Sequence, residues 1–142
     1  MDSDQLPRCR DVDYRIKGYR PPRSRITAEL TDANFAFHNF EWLASSAYSL
    51  QLPAPELRNR LAKIPILFDD FEMYRSRMTY EDWEKKAILR IQQAPFVAFS
   101  MHDCYAGFWL PHYKRFLERI TGLGQLQTLD EVAGRLALSN SE

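Results

Sequence analysis

Three polar segments of this sequence carry residue types that can hold an anion and transfer a proton, and each follows a short apolar run. The segments are Gly18-Tyr19-Arg20-Pro21-Pro22-Arg23, Phe68-Asp69-Asp70 and Phe99-Ser100-Met101-His102-Asp103. In α/β folds the residues that follow strands gather at one edge of the sheet, where such folds place their chemistry. An arginine, a carboxylate and a histidine at that edge could orient a charged group and act as general acid or base.

Arg20 precedes two prolines, whose rings fix φ and keep the backbone out of a helix. A rigid turn would aim the guanidinium group in one direction and let it form a bidentate pair with a carboxylate. The alternative is an ordinary surface turn, because residues 8–25 form a basic stretch of the kind that is usually solvated.

Asp69 and Asp70 end the apolar run of residues 64–68. Adjacent side chains of a strand point to opposite faces, so we expect one of the two carboxylates to face a cleft. That carboxylate could pair with Arg20 or bind a metal. The alternative is that the aspartates only cap a loop or helix.

His102 follows residues 95–101, the most strongly apolar strand candidate of the chain. An imidazole can accept and donate a proton near neutral pH, which suits general acid or base catalysis. The alternative is a hydrogen-bonded core or loop histidine. Cys104 as a nucleophile paired with His102 is disfavoured, because residues two apart on one extended segment rarely reach the required geometry.

The elements that would position these residues alternate between short apolar runs and amphipathic stretches, which is typical of βα units with a largely parallel sheet. The expected fold class is therefore α/β, with strands buried on both faces. Thr79 and Asp82 form a capping-box pattern that predicts a helix after Met78, and Asp130 is the expected N-cap of the last helix. Predicted strands cover residues 14–19, 40–44, 64–68, 96–100 and 125–128, and the two later helices cover about 108–120 and 130–137.

The composition predicts one domain, since the chain has 142 residues of which 45% are apolar. We expect a loose segment over residues 1–13, the domain over 14–138 and a tail over 139–142. Nineteen basic residues balance nineteen acidic ones, which argues against a polyanion or membrane partner. Cys9 and Cys104 are too far apart for a CxxC motif, and no leader or membrane-spanning run is visible, so a cytoplasmic location is expected.

Taken in order, these segments resemble the polysaccharide deacetylase superfamily of metal-dependent carbohydrate esterases, which have an irregular barrel of parallel strands and five active-site motifs. Residues 18–23 are similar to the third motif, whose arginine orients the catalytic aspartate. Asp69-Asp70 occupies the place of the fourth. Residues 99–103 are similar to the fifth, in which an apolar residue lines the acetyl pocket and the histidine is the general acid. The resemblance covers roughly residues 14 to 138.

Three departures from the family pattern stand in the sequence. Arg23 replaces a common tyrosine, and no tryptophan follows Asp70 directly. The first two motifs, an Asp-Asp pair and a His-x-x-x-His metal pair, have no counterpart upstream of Tyr14, since no histidine accompanies Asp11 and Asp13. The resemblance therefore covers only the later half of an active site.

The resemblance implies the C-terminal part of an irregular (β/α) barrel from an enzyme that hydrolyses N-acetyl groups of a carbohydrate. It implies a zinc-like divalent metal in the complete enzyme and none bound by this chain alone, which is then expected to be inactive. A truncated reading, one half of a split barrel and a degenerate binding relative all remain open. An uncovered barrel edge would favour self-association. The implied catalytic residues are His102, Arg20, Asp70 and Asp69, and the implied substrate contacts are Met101, Trp109 and Pro22.

Two other classes of function remain as alternatives. One is a non-catalytic α/β binding or interaction domain, which would not depend on His102. The other is a nucleic-acid or acidic-partner module that uses the basic stretch of residues 8–25, and its binding would fall steeply with salt. The balanced charge of the whole chain argues against the second.

Overall fold

A computed structural model describes residues 15–140 and shows an α/β chain built on one five-stranded sheet. The first, second, fourth and fifth strands run parallel in the order β1-β2-β4-β5, while β3 pairs antiparallel with the first part of β4. The mostly parallel sheet is confirmed, but the sheet is open and does not close into a barrel. The strands are β1 Gly18–Tyr19, β2 Trp42–Ser46, β3 Glu56–Arg58, β4 Leu61–Asp69 and β5 Ala98–Ser100.

Helices follow most of the strands, and short 3-10 turns lie at Pro22–Ser24, Asp103–Tyr105 and Leu110–His112. Within residues 15–140 none of the helices is long and apolar enough to cross a membrane. The α-helices are α1 Asp32–Phe37, α2 Ala47–Leu50, α3 Phe71–Arg75, α4 Tyr80–Gln93, α5 Ala106–Trp109, α6 Tyr113–Thr121 and α7 Leu129–Ser139.

The helix predicted after Met78 is confirmed as α4, and the Thr79 hydroxyl accepts a hydrogen bond from the Asp82 amide at 3.2 Å. The single helix predicted over 108–120 is instead α5, a 3-10 turn and α6, because Pro111 lacks the amide that a continuous helix needs. Of the first predicted strand, only Gly18–Tyr19 is extended and paired as β1, and residues 15–17 are irregular. Residue 14 and the predicted loose segment of residues 1–13 lie outside the described residues.

The strand predicted over residues 125–128 is wrong, because this segment is an irregular connection that ends at the N-cap of α7. Thr128, not Asp130, is the N-cap, and it forms a reciprocal capping box with Glu131. Asp130 has another role, since its carboxylate accepts a hydrogen bond from the Trp42 indole at 2.6 Å and so ties α7 to β2.

The core lies on both faces of the sheet, as the sequence predicts. On one face Ala62, Ile64 and Ile66 of β4 pack with Val132 and Ala133 of α7. On the other face Leu61 packs with Phe35 and Leu43, while the cluster around Trp83 and Phe116 covers the last residues of β4 and β5. The alternate residues of β4 thus serve different layers.

The first strand lies at an edge of the sheet, and none of the described residues pairs with its outer side. Gly18 is required there, since a Cβ at this position would come within 1.8 Å of the Trp42 indole. The absence of a side chain lets β1 lie close to β2, which places the following residue pair, Tyr19 and Arg20, at the carboxyl end of the sheet.

Candidate active site

The carboxyl ends of the parallel strands bring the predicted polar residues to one edge of the sheet. Arg20 follows β1, and His102 follows β5 by two residues. Ser46 is the last residue of β2, Asp69 is the last residue of β4, and Asp70 comes directly after it. Because these strands run parallel, all four ends point the same way. The sequence-predicted residues are therefore neighbours in the fold although up to 82 positions of sequence, from 20 to 102, separate them.

Asp70 and His102 form the centre of the site. Asp70 is fully buried, while 37% of the His102 side chain is exposed. One carboxylate oxygen, Oδ1, lies 2.5 Å from Nδ1 of the imidazole, and the other, Oδ2, accepts a hydrogen bond from the His102 amide at 2.8 Å. Because a carboxylate only accepts hydrogen bonds, we assign the ring proton to Nδ1, which leaves Nε2 for a substrate.

Two indole groups hold the backbone of this pair. The buried Trp83 of α4 donates its Nε1–H to the carbonyl oxygen of Asp69 at 2.8 Å. Trp109, a predicted substrate contact, donates its Nε1–H to the carbonyl oxygen of His102 at 3.1 Å. The two indoles therefore hold the backbone at the end of β4 and just after β5, where the His102 carbonyl oxygen also accepts from the Tyr105 amide at 3.1 Å.

Arg20 lies at the same edge but its partner differs from the expected one. Its Nη2 donates to the hydroxyl oxygen of Ser100 at 3.0 Å, and it does not pair with Asp69 or Asp70. Asp70 is engaged by His102, and Oδ1 of Asp69 accepts from the Phe71 amide at 3.0 Å. The prediction of an Arg20–aspartate pair within this chain is therefore wrong for the described residues.

The Arg-Pro-Pro turn is anchored from β2. Buried Ser45 donates its hydroxyl to the carbonyl oxygen of Ser24 at 3.0 Å, and the backbone closes through Ser24 N to Pro21 O at 3.1 Å. Arg23 and Ser24 adopt left-handed φ angles of 55° and 54°. These two hydrogen bonds therefore fix the turn between Pro21 and Ser24. Arg20 and Pro22 remain exposed to solvent.

A bulge at Leu67 adjusts the end of β4. Ile66 pairs with Ala98 and Phe68 with Phe99, so one extra residue of β4 lies between the two pairs. The bulge brings the rings of Phe68 and Phe99 into a stack with centroids 5.4 Å apart. Arg90 of α4 donates to the carbonyl oxygen of Leu67 at 2.7 Å and lies 5.7 Å from the Phe68 ring centroid. Sequence reasoning missed Arg90, because its partner is a backbone atom.

An open depression of about 240 Å³ lies beside the pair, at the ends of β2 and β4. Its lining includes two guanidinium groups, from Arg20 and Arg90, and two carboxylates, from Asp69 and Glu72. Asp70 and His102 are not among its lining residues. The two positive and two negative groups in the lining balance, and the depression does not enclose the imidazole.

Three aromatic rings form a cluster after β4 and β5, and one of them contacts His102. Phe71 and Tyr74 are on α3 and Tyr105 is in the turn after β5, and the Tyr74 and Tyr105 rings stack at 4.8 Å. Tyr105 also contacts the His102 ring, with centroids 5.6 Å apart. Partial desolvation of its hydroxyl, and next the neighbouring Cys104, raise the pKa of Tyr105. The sequence signal that could have revealed this cluster is the aromatic spacing i, i+3 directly after Asp70.

The described residues do not fit a complete metal site. Among residues 15–140 there is no group of three or more His, Cys, Asp or Glu side chains placed to hold a metal ion. We therefore assign no step of a reaction on this chain to a metal. Met101, the expected acetyl-pocket residue, is half-buried and packs against the Trp83 and Phe116 cluster.

The basic stretch is partly compensated where it is described. Arg15 and Lys17 each lie 3.8 Å from a carboxylate oxygen of Glu41. Arg8 and Arg10 are outside the described residues. A single carboxylate thus faces two cations, so the described part of the basic stretch keeps some of its positive charge.

Comparisons with known proteins were made in three ways, and no family model, no curated protein and no solved structure matches the chain. The residues at the carboxyl edge of the sheet are therefore the only guide to a catalytic function that the described part of the chain offers.

Proposed function

We propose that this chain supplies the proton-donating side of a carbohydrate N-deacetylase site, with His102 as general acid. The observation that carries the proposal is the pair of contacts between buried Asp70 and His102 at the carboxyl edge of a parallel sheet. The proposal includes two further points. The three segments correspond in order to the motifs of the deacetylase superfamily that they resemble, and the open sheet is part of a barrel.

The reaction that fits this geometry is hydrolysis of an acetamide C–N bond. Water adds to the carbonyl carbon and gives its proton to the catalytic aspartate that the resemblance implies outside residues 15–140, while the carbonyl oxygen becomes an oxyanion. The C=O bond then re-forms and the C–N bond breaks as the leaving nitrogen receives a proton. Asp70 holds the Nδ1–H, so that a doubly protonated His102 can give its Nε2 proton to the departing amine and become neutral. Asp70 is thus a positioning residue for His102, rather than the partner of Arg20.

Arg20 has a different part in the proposal. Its guanidinium group is exposed and uses Nη2 for Ser100, which leaves other N–H groups for a carboxylate. In the resemblance this arginine orients the catalytic aspartate, which would come from the half of the site that residues 15–140 do not contain. Ser100 lies two positions before His102, and its hydroxyl oxygen keeps the Arg20 guanidinium group beside β5.

The first experiment is to read the DNA upstream of the Met1 codon in the same frame and to express the complete product. We expect an Asp-Asp strand end followed by His-x-x-x-His. The complete product should release acetate from N-acetylated chito-oligosaccharides. His102→Ala should lower its kcat about 10²- to 10⁴-fold with little change in KM, because a lost general acid affects the transition state alone.

Two results would contradict the proposal. One is a kcat that does not change in His102→Ala. The other is a stop codon upstream with no such motifs, which would replace the catalytic interpretation by a binding or vestigial one. Ser139→Ala is a suitable control, since its hydroxyl donates only to the Arg135 carbonyl oxygen within α7.

A further inference from the structure

A second open depression, of about 250 Å³, lies at the amino ends of the parallel strands, opposite the edge that carries His102. Glu41 directly precedes β2 and Arg60 directly precedes β4. The proposed reaction uses none of the residues in its lining. We name it the amino-end depression, and its polar lining residues are Arg15, Asp32, Asn39, Glu41, Asn59 and Arg60.

Both carboxylates of the amino-end depression are already paired with lysines. Glu41 lies 3.8 Å from the Lys17 ammonium nitrogen, and Asp32 lies 3.0 Å from that of Lys63. The second pair is shielded from water, since only 19% of the Lys63 side chain is exposed. Neither lysine belongs to the lining. The two acids therefore leave the positive charge of the lining arginines without an equal counter-charge.

The two arginines of the lining have a weak partner or none. Arg15 is 3.8 Å from Glu41, a carboxylate that it shares with Lys17, and the Arg15 side chain is 67% exposed. Exposed ion pairs of this length hold a side chain only loosely. Among residues 15–140, none of the ion pairs includes Arg60. Both guanidinium groups are thus available to an anion.

Arg60 stands in a backbone conformation that favours glycine. Asn59 and Arg60 form the two-residue turn between β3 and β4, and their φ angles are 50° and 68°. Such a turn needs positive φ at both positions and prefers glycine at the second, because glycine has no Cβ to strain there. Glycine would suit the hairpin better, so the arginine side chain points to a role other than stability.

We propose that the amino-end depression binds the phosphate monoester group of a small organic molecule. Near neutral pH this group carries about two negative charges and offers three acceptor oxygens, which match the two guanidinium groups. Asn59 keeps a second amide N–H after its bond to Asp32 at 2.9 Å, and Asn39 lines the same depression. The half-buried Phe40 ring in the lining offers an apolar surface to the organic part.

The size of the depression favours a small ligand over a polymer. Its volume of about 250 Å³ is close to the lower end of small-molecule sites, which begin at roughly 300 Å³. A nucleic acid would need a continuous row of cations along its backbone. That row is interrupted here, because Arg58 of β3 donates to Glu56 at 3.0 Å.

The test measures binding of phenyl phosphate to the 142-residue chain by calorimetry and by ¹⁵N shifts of the arginine Nε–H and asparagine amide groups. Arg60→Gly should weaken binding about tenfold, which corresponds to about 1.4 kcal/mol. The same change should not lower the urea concentration at the midpoint of unfolding, because glycine adopts a φ of 68° without strain.

Arg77→Gly is the matched control. Arg77 is also exposed and has a φ of 49°, but it lies between α3 and α4 and does not line the depression. This variant loses the same charge in the same kind of backbone conformation. It should therefore bind phenyl phosphate as tightly as the original chain does.

Equal affinity for phenyl phosphate in Arg60→Gly and the original chain would overturn the inference, and so would the absence of saturable binding to the original chain. Phenyl sulfate has a similar shape but a single negative charge, so it should bind more weakly. Equal binding of the two would contradict the match to a dianion. Binding of duplex DNA through Arg60 without binding of phenyl phosphate would assign the depression to a nucleic acid and overturn the inference as well.

Discussion

Two buried carboxylates, Asp70 and Glu84, differ in the kind of side chain that each one binds. Asp70 lies at a strand end and binds the half-exposed imidazole of His102. Glu84 is 3% exposed on α4 and binds Arg119 at 2.9 Å and Arg115 at 3.7 Å. Arginine keeps its charge at every ordinary pH, whereas histidine exchanges a proton near neutrality.

Burial of an acidic side chain does not by itself mark an active site, because Asp70 and Glu84 are equally removed from water. Both acids are removed from water and both have partners, as buried charges require. Only Asp70 has a partner that can transfer its proton to a ligand. Glu84 instead connects α4 to α6.

The largest effect should follow from replacing each acid by its amide. Asp70→Asn should lower kcat of the complete product by about 10²-fold or more, because the amide can no longer accept both N–H groups and fix the imidazole tautomer. Glu84→Gln should leave kcat unchanged and reduce the free energy of unfolding by about 1–3 kcal/mol, through its weakened arginine contacts. Steady-state kinetics and urea denaturation of both variants test this difference.

Equal loss of kcat in both variants would remove the distinction between the two carboxylates. A further readout keeps the Asp70 result interpretable if that variant is less stable. The ¹⁵N shifts of the His102 ring report its tautomer directly. They should change in Asp70→Asn and stay the same in Glu84→Gln.

A smaller effect should follow from replacing Arg90, whose side chain supports the carboxyl edge of the sheet through a backbone carbonyl oxygen. Arg90→Met removes the hydrogen bond to the Leu67 carbonyl oxygen, so the bulge before Asp69 loses its side-chain support. We expect kcat of the complete product to fall about tenfold, equivalent to about 1.4 kcal/mol. Arg90→Lys can still donate to that oxygen and should recover most of the activity.

Arg119→Met is the matched control for this prediction, since it removes an arginine from Glu84 instead. It should lower stability without changing kcat or the His102 ring shifts. A normal kcat in Arg90→Met would show that the bulge holds Asp70 without help from α4.

The sequence predicted the strand ends better than the contacts between them. Short apolar runs before Asp69 and His102 indicated buried strands. This prediction succeeds because a buried strand can be recognised from the hydrophobicity of neighbouring residues alone. The choice of Asp70 for His102, and of Ser100 for Arg20, depends on the bulge at Leu67, which local residue types do not reveal. The error at residues 125–128 has a similar cause, because Thr128 is apt for a strand and also for an N-cap.

The smallest effect concerns Tyr80, which lies one turn before Glu84 on α4 and stacks on His112 at 4.1 Å. Its buried hydroxyl has no hydrogen-bond partner among the described residues. Burial of this hydroxyl, and then the charge of Glu84 and Glu81 against that of Arg115 and Arg119, raises the pKa of Tyr80 to about 12.

A raised pKa means that the folded state favours the neutral phenol, so its contribution to stability is complete below pH of about 10 and is lost as pH rises toward 12. Tyr80→Phe has no proton to lose and should not show this decline. In urea denaturation, the stability difference in favour of Tyr80→Phe over the original chain should therefore be larger at pH 11 than at pH 9. Parallel losses in both proteins would assign the alkaline instability to other groups, and kcat near neutral pH should be equal in the two, since Tyr80 belongs with Glu84 rather than with Asp70.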